Sequence, residues 1–277
     1  MALKLMYITN RPEIARIAED AGVDRIFVDM EYIGKADRQG GMDTVQSHHT
    51  VEDIVKIRSA VKRAEVLVRV NPIHEASAEY TSSKEEVEAV VAAGADVIML
   101  PYFKTAAEVE AFVALVAGRA KTMALLETPE AVEIADTVLS IAGLDEIYIG
   151  LNDLSLGYGK KFMFELLADG TVEMLCGKFR QSGIPYGFGG VAAPGKGTLP
   201  AERIIQEHCR LGSECVILSR SFCNTEKIAD ICEVTNIFRE GVARIRNVEN
   251  VCKTDVSGME DNRKKVIEIV RMITEKI

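Results

Sequence analysis

TMALLETPEAVEIADTVLSIAGLDEIYIGLNDLSLGYG, residues 122–159, decides the fold. Met123–Leu126 is an apolar run that stops at Glu127, and Glu146–Ile149 is a second run followed by Gly150 and Asp153. Between them Thr128 and Pro129 read as an N-cap and a proline at the first helical position. Ala131, Ile134, Ala135, Val138 and Leu139 then recur at helical spacing. Gly143 is expected to close that single helix as a C-cap glycine. The stretch is therefore strand–helix–strand, with a carboxylate at the end of each strand. If the strands are parallel neighbours, Glu127 and Asp153 converge. Two hard oxygen ligands, with room for water and substrate, suit Mg²⁺. The competing reading is that each acid caps a helix or faces solvent.

Outward from this stretch the pattern repeats. Strands are expected at 3–9, 25–31, 66–71, 97–100, 185–189 and 215–219. Helices are expected at 11–22, 50–61, 82–94, 105–118, 171–183 and 200–212. Eight nearly continuous apolar runs alternating with helices suit a parallel sheet buried on both faces. Short helix-to-strand steps and longer polar strand-to-helix loops point to a (β/α)8 TIM barrel, whose working loops follow the strands. An open doubly wound sheet is the alternative, but no G-x-G-x-x-G follows the first strand. Residues 1–224 form the expected barrel core. Residues 225–277 form C-terminal helices: the last barrel helix at 225–251, a break at KTDVSG (253–258), and an additional helix at 262–277. The apolar face of that helix, including Val266, Ile267, Ile269, Val270, Met272 and Ile273, needs a partner, in its own barrel or in another subunit.

The bulk numbers exclude several classes. A net charge of −9 over 277 residues argues against nucleic acid and against polybasic membrane binding. No run of about twenty apolar residues suggests a membrane span, and MALKLMYITN turns polar too soon for a signal peptide. The 6 cysteines form no C-x-x-C pair or zinc spacing and read as reduced thiols of a cytoplasmic protein.

In a barrel the strand ends share one cup. The second offers Asp29 and Glu31, the third Arg69 and Asn71, the fifth Glu127, and the sixth Asn152 and Asp153. The seventh offers Gly189 and Gly190, and the eighth Ser219, Arg220 and Ser221. An arginine beside metal-binding acids would hold an anionic substrate and a developing oxyanion; an internal salt bridge from Arg69 to Glu31 or Glu127 is compatible with this. Glycine N–H groups at the seventh strand, with Ser219 and Arg220, could take a phosphate or carboxylate. Alternatively the glycines only permit close packing.

The blocks RIFVDMEYIGKADRQ, LVRVNP, GADVIMLPYF, LLETPEAV and IYIGLNDLSLGYG resemble the HpcH/HpaI aldolase and citrate lyase β-subunit family, from about residue 10 to 160 and more loosely to 222. The resemblance implies a TIM barrel and C–C bond chemistry through the enolate of pyruvate, a related 2-oxoacid or an acetyl thioester, with Mg²⁺ or with Mn²⁺ or Co²⁺. It implies Glu127 and Asp153 as metal ligands, Arg69 as the arginine on the enolate oxygen and carboxylate, and Asp29 and Glu31 as the acidic pair beneath. It also implies a homo-oligomer, with C-terminal helices often exchanged. The chain departs from the pattern in three places. Tyr32 stands where the pyruvate aldolases have histidine and citrate lyase relatives an acid. Leu125 replaces a glutamine, and Gly118 runs almost directly to Lys121 where aldolases have a longer loop. Residues 32–49 carry Lys35, Asp37, Arg38, Gln39, His48 and His49, so His48, His49 or Tyr32 is expected as acid or base, unless the histidines are a solvated helix cap. His74 is a weaker candidate, and His208, on an outer helix, is expected to be structural. The expected substrate is a small oxoacid, possibly phosphorylated. A CoA-thioester lyase and a catalytically silent, metabolite-binding or scaffolding barrel are the alternatives.

Overall fold

A computed structural model describes residues 2–35, 49–254 and 257–276. Its strands are β1 (Lys4–Ile8), β2 (Arg25–Asp29), β3 (Glu65–Arg69), β4 (Val97–Leu100), β5 (Lys121–Leu126), β6 (Glu146–Ile149), β7 (Tyr186–Val191) and β8 (Cys215–Leu218). All pairs are parallel, and β8 returns to β1 to close the barrel. This is the expected (β/α)8 architecture.

Side chains alternate along each strand, and that alternation builds the barrel interior in layers. Met6, Phe27, Leu67, Met99, Met123, Leu125 and Tyr148 fill its middle. Two residues earlier in their strands lie Arg25, Glu65 and Glu146, on the same face as Phe27, Leu67 and Tyr148. The Arg25 guanidinium donates to both Glu146 oxygens at 2.6 Å and to Glu65 at 2.7 Å. This ion-paired layer is the floor of the barrel. Two residues past the apolar layer, on the same parity, come Asp29, Arg69 and Glu127. The opposite parity packs against the surrounding helices.

The helix starts follow from capping chemistry. Thr50, Ser82 and Thr105 each form a reciprocal capping box with Asp53, Glu85 and Glu108. The Thr128 hydroxyl accepts from Ala131 N ahead of Pro129, as expected. Beyond it the single expected helix is two, Pro129–Glu133 and Ala135–Leu139, broken at Ile134. The second ends at Ser140, whose hydroxyl donates back to Thr137 O. Gly143 is not its C-cap. It takes φ +91 in the turn to β6, where a Cβ would lie 2.8 Å from Val113 Cγ1. β7 runs two residues past its expected end, because a register shift between Gly187 and Gly190 lets it continue beside β8. The barrel's last helix starts later than expected, at Ile231, and runs to Thr254; a final helix spans Ser257–Thr274. Val266 and Val270 of that helix are buried, and it packs on helices Ala201–Leu211 and Glu165–Ala168 of its own barrel.

Candidate active site

Asp29 and Arg69 are register partners on adjacent strands. The Arg69 fork donates from Nε and Nη2 to the two Asp29 oxygens, both at 2.8 Å, and Nη1 lies 3.3 Å from Glu31 Oε2. Lys35 Nζ donates to Asp29 Oδ2 at 2.7 Å and lies 3.7 Å from Glu31. Two cations thus meet two buried acids. Burial opposes ionisation of Asp29, but Arg69 and Lys35 outweigh it and hold the carboxyl far below its usual range. Burial likewise opposes the Arg69 charge, and Asp29, Glu31 and Glu127 outweigh it, so the guanidinium is firmly protonated. Its fork is fixed in plane before any substrate arrives.

Asp29, Lys35, Arg69 and His49 line a cavity of about 400 Å³ at the C-terminal mouth. Asn152, Ser219 and Arg220 line it from the β6 and β8 ends. A neighbouring cavity of about 230 Å³ is lined by both Glu127 and Asp153, with Tyr102 and Thr128. Glu127 is 4% and Asp153 8% exposed. Tyr102 N donates to Glu127 Oε1 at 3.0 Å from a left-handed backbone, φ 49, unusual for a bulky residue. Asn152 Nδ2 donates to Asp153 Oδ1 at 3.1 Å, so Asn152 links the two cavities. Gly150 lies beneath Glu127: a Cβ there would stand 2.6 Å from Glu127 Oε2.

Two buried carboxylates on the wall of one cavity are the donor set that a hard divalent cation takes, with water and substrate oxygens completing its shell. Among the described residues no group of three or more His, Cys, Asp or Glu side chains is arranged to hold a metal. The residues present therefore fit an ion bound by two protein carboxylates and open elsewhere.

A family model, HpcH/HpaI aldolase/citrate lyase, matches residues 4–167. The chain belongs to the HpcH/HpaI aldolase/citrate lyase family. Its barrel is similar to that of the HpcH/HpaI aldolase from Desulfitobacterium hafniense DCB-2, at TM-score 0.58 and 18% identity over 79% of this chain and 86% of that one. It is also similar to an HpcH/HpaI aldolase/citrate lyase family protein from Burkholderia cenocepacia J2315, at TM-score 0.61 and 15% identity over 84% and 95%. At these identities the likeness speaks for the fold. No curated protein matches the chain.

Set on this family barrel, the expected site residues separate into two groups. Glu31, Arg69, Glu127, Asn152, Asp153, Ser219, Arg220 and His49 gather at the mouth. The others have different positions. Asn71 lines neither cavity: its Oδ1 accepts from Tyr32 N and Ile33 N at 2.8 and 3.0 Å, and its Nδ2 donates to Glu86 at 2.8 Å. It ties the loop after β2 to the helix Ser83–Ala92. The Tyr32 hydroxyl donates to the His49 carbonyl. Gly189 and Gly190 also line neither cavity. Gly189 has φ +56, and a Cβ on it would meet Leu151 Cδ1 at 2.7 Å; its carbonyl accepts from the Tyr148 hydroxyl. Close packing accounts for it, which leaves Ser219 and Arg220 as the cavity-lining part of the expected anion site. His48 lies outside the described residues. His49 is not a solvated cap residue: it is 7% exposed, and its Nδ1 accepts from Asp29 N at 3.0 Å. His74 fastens its own loop, with Nδ1 2.7 Å from Pro72 O and Nε2 2.8 Å from Thr81 O. His208 is fully buried, stacked on Phe188 at 3.8 Å, and burial pushes its pKa down to about 3.

Lys35 is one of several charges in its loop, and nothing in the sequence singles it out. The roles of Tyr102 and Gly150 at Glu127 left no sequence signal, because both depend on contacts between strands.

Proposed function

We propose that this protein is a divalent-metal-dependent aldolase or lyase that makes or cleaves a C–C bond through the enolate of pyruvate or a related 2-oxoacid. One observation carries the reading: a protonated arginine, its plane fixed by two buried acids, lines a cavity beside a second one walled by two carboxylates. Glu127 and Asp153 would hold the cation, with Tyr102 N and the Asn152 amide orienting them. Bound there, Mg²⁺ or a similar ion would supply Lewis acidity toward the keto oxygen, worth several kcal/mol of charge stabilisation.

The chain's own residues do the rest. Arg69 presents its guanidinium to the substrate's carboxylate and to the oxygen that gains charge, at no cost of reorganisation. Asp29 and Glu31 hold that guanidinium in plane. Lys35 balances the second acid, so the site stays open to an anion. Ser219 and Arg220, across the cavity, take the polar or phosphorylated end of the acceptor. A cavity of about 400 Å³ has room for a small oxoacid with its acceptor.

Deuterium exchange into the methyl group of pyruvate, followed by NMR with Mg²⁺ or Mn²⁺ and with chelator, tests the reading. Metal-dependent exchange is expected. Absence of exchange with pyruvate and its close homologues would favour a silent barrel.

The last helix also supports a homo-oligomer. Ile267 and Met272 are 39% and 46% exposed on it, while Val266 and Val270 are buried against the barrel. Light scattering of the intact chain is expected to give at least twice the mass of 30.4 kDa; a monomer would refute it.

A further inference from the structure

At the end of the barrel opposite the candidate site, two thiols meet. Cys209 and Cys252 lie in the last turns of helices Ala201–Leu211 and Ile231–Thr254, which pack against each other. Their side chains are hydrogen-bonded to one another. Both line a cavity of about 230 Å³, together with Leu3, Ser213, Glu214, Glu249 and Lys253. Leu3 and Glu214 directly precede β1 and β8, so this cavity lies at the strand starts, beneath the seam where β8 closes on β1.

The two sulfurs differ in access. Cys209 is half-buried and Cys252 is 4% exposed, so a small molecule entering the cavity reaches Cys209 first. Burial and the hydrogen bond with Cys252 hold the Cys209 thiol well above its ordinary range, against the charge of Lys253. The thiolate is the nucleophile, so the pair rests reduced and reacts slowly. Bonding is within reach. A disulfide requires its sulfurs to close to about 2.05 Å. Two thiols already in contact get there by side-chain rotation and a small shift of two helix ends, the parts of a helix that yield most easily.

We propose that Cys209 and Cys252 form a redox-active dithiol, which a low-molecular-weight disulfide converts to an intramolecular disulfide. Cys209 gives up its proton and its sulfur attacks one sulfur of the small disulfide. That S–S bond breaks, and the first small thiol leaves with a proton. Cys252 then loses its proton and attacks Cys209 Sγ, which displaces the second small thiol. Two protein thiols are oxidised and one small disulfide is reduced to two thiols. The new bond closes the segment from Cys209 to Cys252, which contains β8. The second helix of the pair also grips the first strand, because Glu249 accepts from Leu3 N at 2.6 Å and Arg246 donates to Leu3 O at 2.7 Å. Oxidation therefore staples the closing seam of the barrel and stabilises it by restricting the unfolded chain.

The experiment uses the intact chain, incubated overnight with oxidised glutathione and quenched in acid. Mass spectrometry of a non-reducing tryptic digest should find the peptides Ile204–Arg210 and Asn247–Lys253 joined, each with one cysteine. The intact mass should fall by two hydrogens, and dithiothreitol should restore it. A glutathione adduct that never closes, links to other cysteines or between chains, or unreacted protein would each overturn the proposal. In Cys252→Ser glutathione should remain on Cys209, and in Cys209→Ser Cys252 should remain a thiol. Glutathione on Cys252 but not on Cys209 would refute the order of attack. The Tm of the oxidised wild type should exceed that of the reduced protein by roughly 5 °C or more, with no such rise in either serine variant. An unchanged Tm in protein shown to carry the link would refute the staple.

Discussion

Replacing Arg69 by glutamine removes a guanidinium that makes two 2.8 Å bonds to Asp29 and a 3.3 Å contact to Glu31. Both acids are nearly inaccessible, with side chains 3% and 1% exposed. Breaking a buried ion pair from one side typically costs 3–5 kcal/mol, because the remaining charge has no partner. Here Lys35 stays 2.7 Å from Asp29, so the lower end, about 3 kcal/mol, is expected. The cost should depend on pH with a definite sign. In the wild type the Asp29 pKa is depressed, so its contribution is present above the unfolded-state carboxyl pKa and is lost as pH falls through it toward the folded value. In Arg69→Gln the depression is smaller, so the two proteins should differ most at neutral pH and converge in acid. Urea denaturation from pH 7 down to pH 3 measures the difference. Exchange of pyruvate protons should fall by about 10²-fold or more, and Arg69→Lys should recover little of it because an ammonium cannot form the fork. A stability change below about 1 kcal/mol with wild-type exchange would refute both the ion-pair account and the substrate role.

Three other expectations follow from single contacts. Gly150→Ala would place a Cβ 2.6 Å from Glu127 Oε2; the fold should survive, while Mn²⁺ affinity measured by EPR falls about tenfold or more, and unchanged affinity would remove Glu127 from the metal site. Glu146→Gln leaves the fully buried Arg25 with Glu65 as its one carboxylate partner among the described residues, and should cost about 3 kcal/mol by chemical denaturation with the pyruvate KM unchanged. His208 is neutral in the folded chain down to about pH 3, against 6.5 for an ordinary histidine. Between those values the unfolded chain binds the extra proton, so stability is lost as pH falls from 6.5 toward 3, by about 1.4 kcal/mol per pH unit; His208→Asn should flatten that slope relative to the wild type.

The fold was legible because its two periodicities are strong. Apolar runs bounded by capping residues marked the eight strands and most of the helices, and Thr50, Ser82, Thr105 and Thr128 start helices as their chemistry requires. The failures were local. A hydroxyl at Ser140 ended a helix that glycine was expected to end, and the helix Leu151–Gly157 was absent from the sequence reading. Asp153 was expected at the end of a strand and instead sits in the first turn of that helix. The barrel floor was also available in the sequence. RIFVD, EVLVR and EIYI each open with a charge, and those charges fall on the same parity as Phe27, Leu67 and Tyr148, so a buried ion pair at one end of the barrel follows once the strands are accepted.

The site was legible only in part, for a physical reason. A residue type at a strand end fixes where its Cα goes, and that was enough to bring Arg69 and Glu127 to the barrel mouth. It does not fix what the side chain bonds to. Asn71 stands at a strand end as regularly as Arg69 does, yet its amide is consumed by Tyr32 N, Ile33 N and Glu86. For Gly189 and Gly190 the sequence left anion binding and close packing open, and Gly189 makes room for Leu151. His49 is the clearest case. In sequence it is a histidine before a capped helix, which fits a solvent-exposed position as well as a catalytic one. The distinction comes from Asp29 N, a backbone group with no residue identity to read. That amide donates to His49 Nδ1 and holds the ring on the cavity wall, which decides burial against exposure.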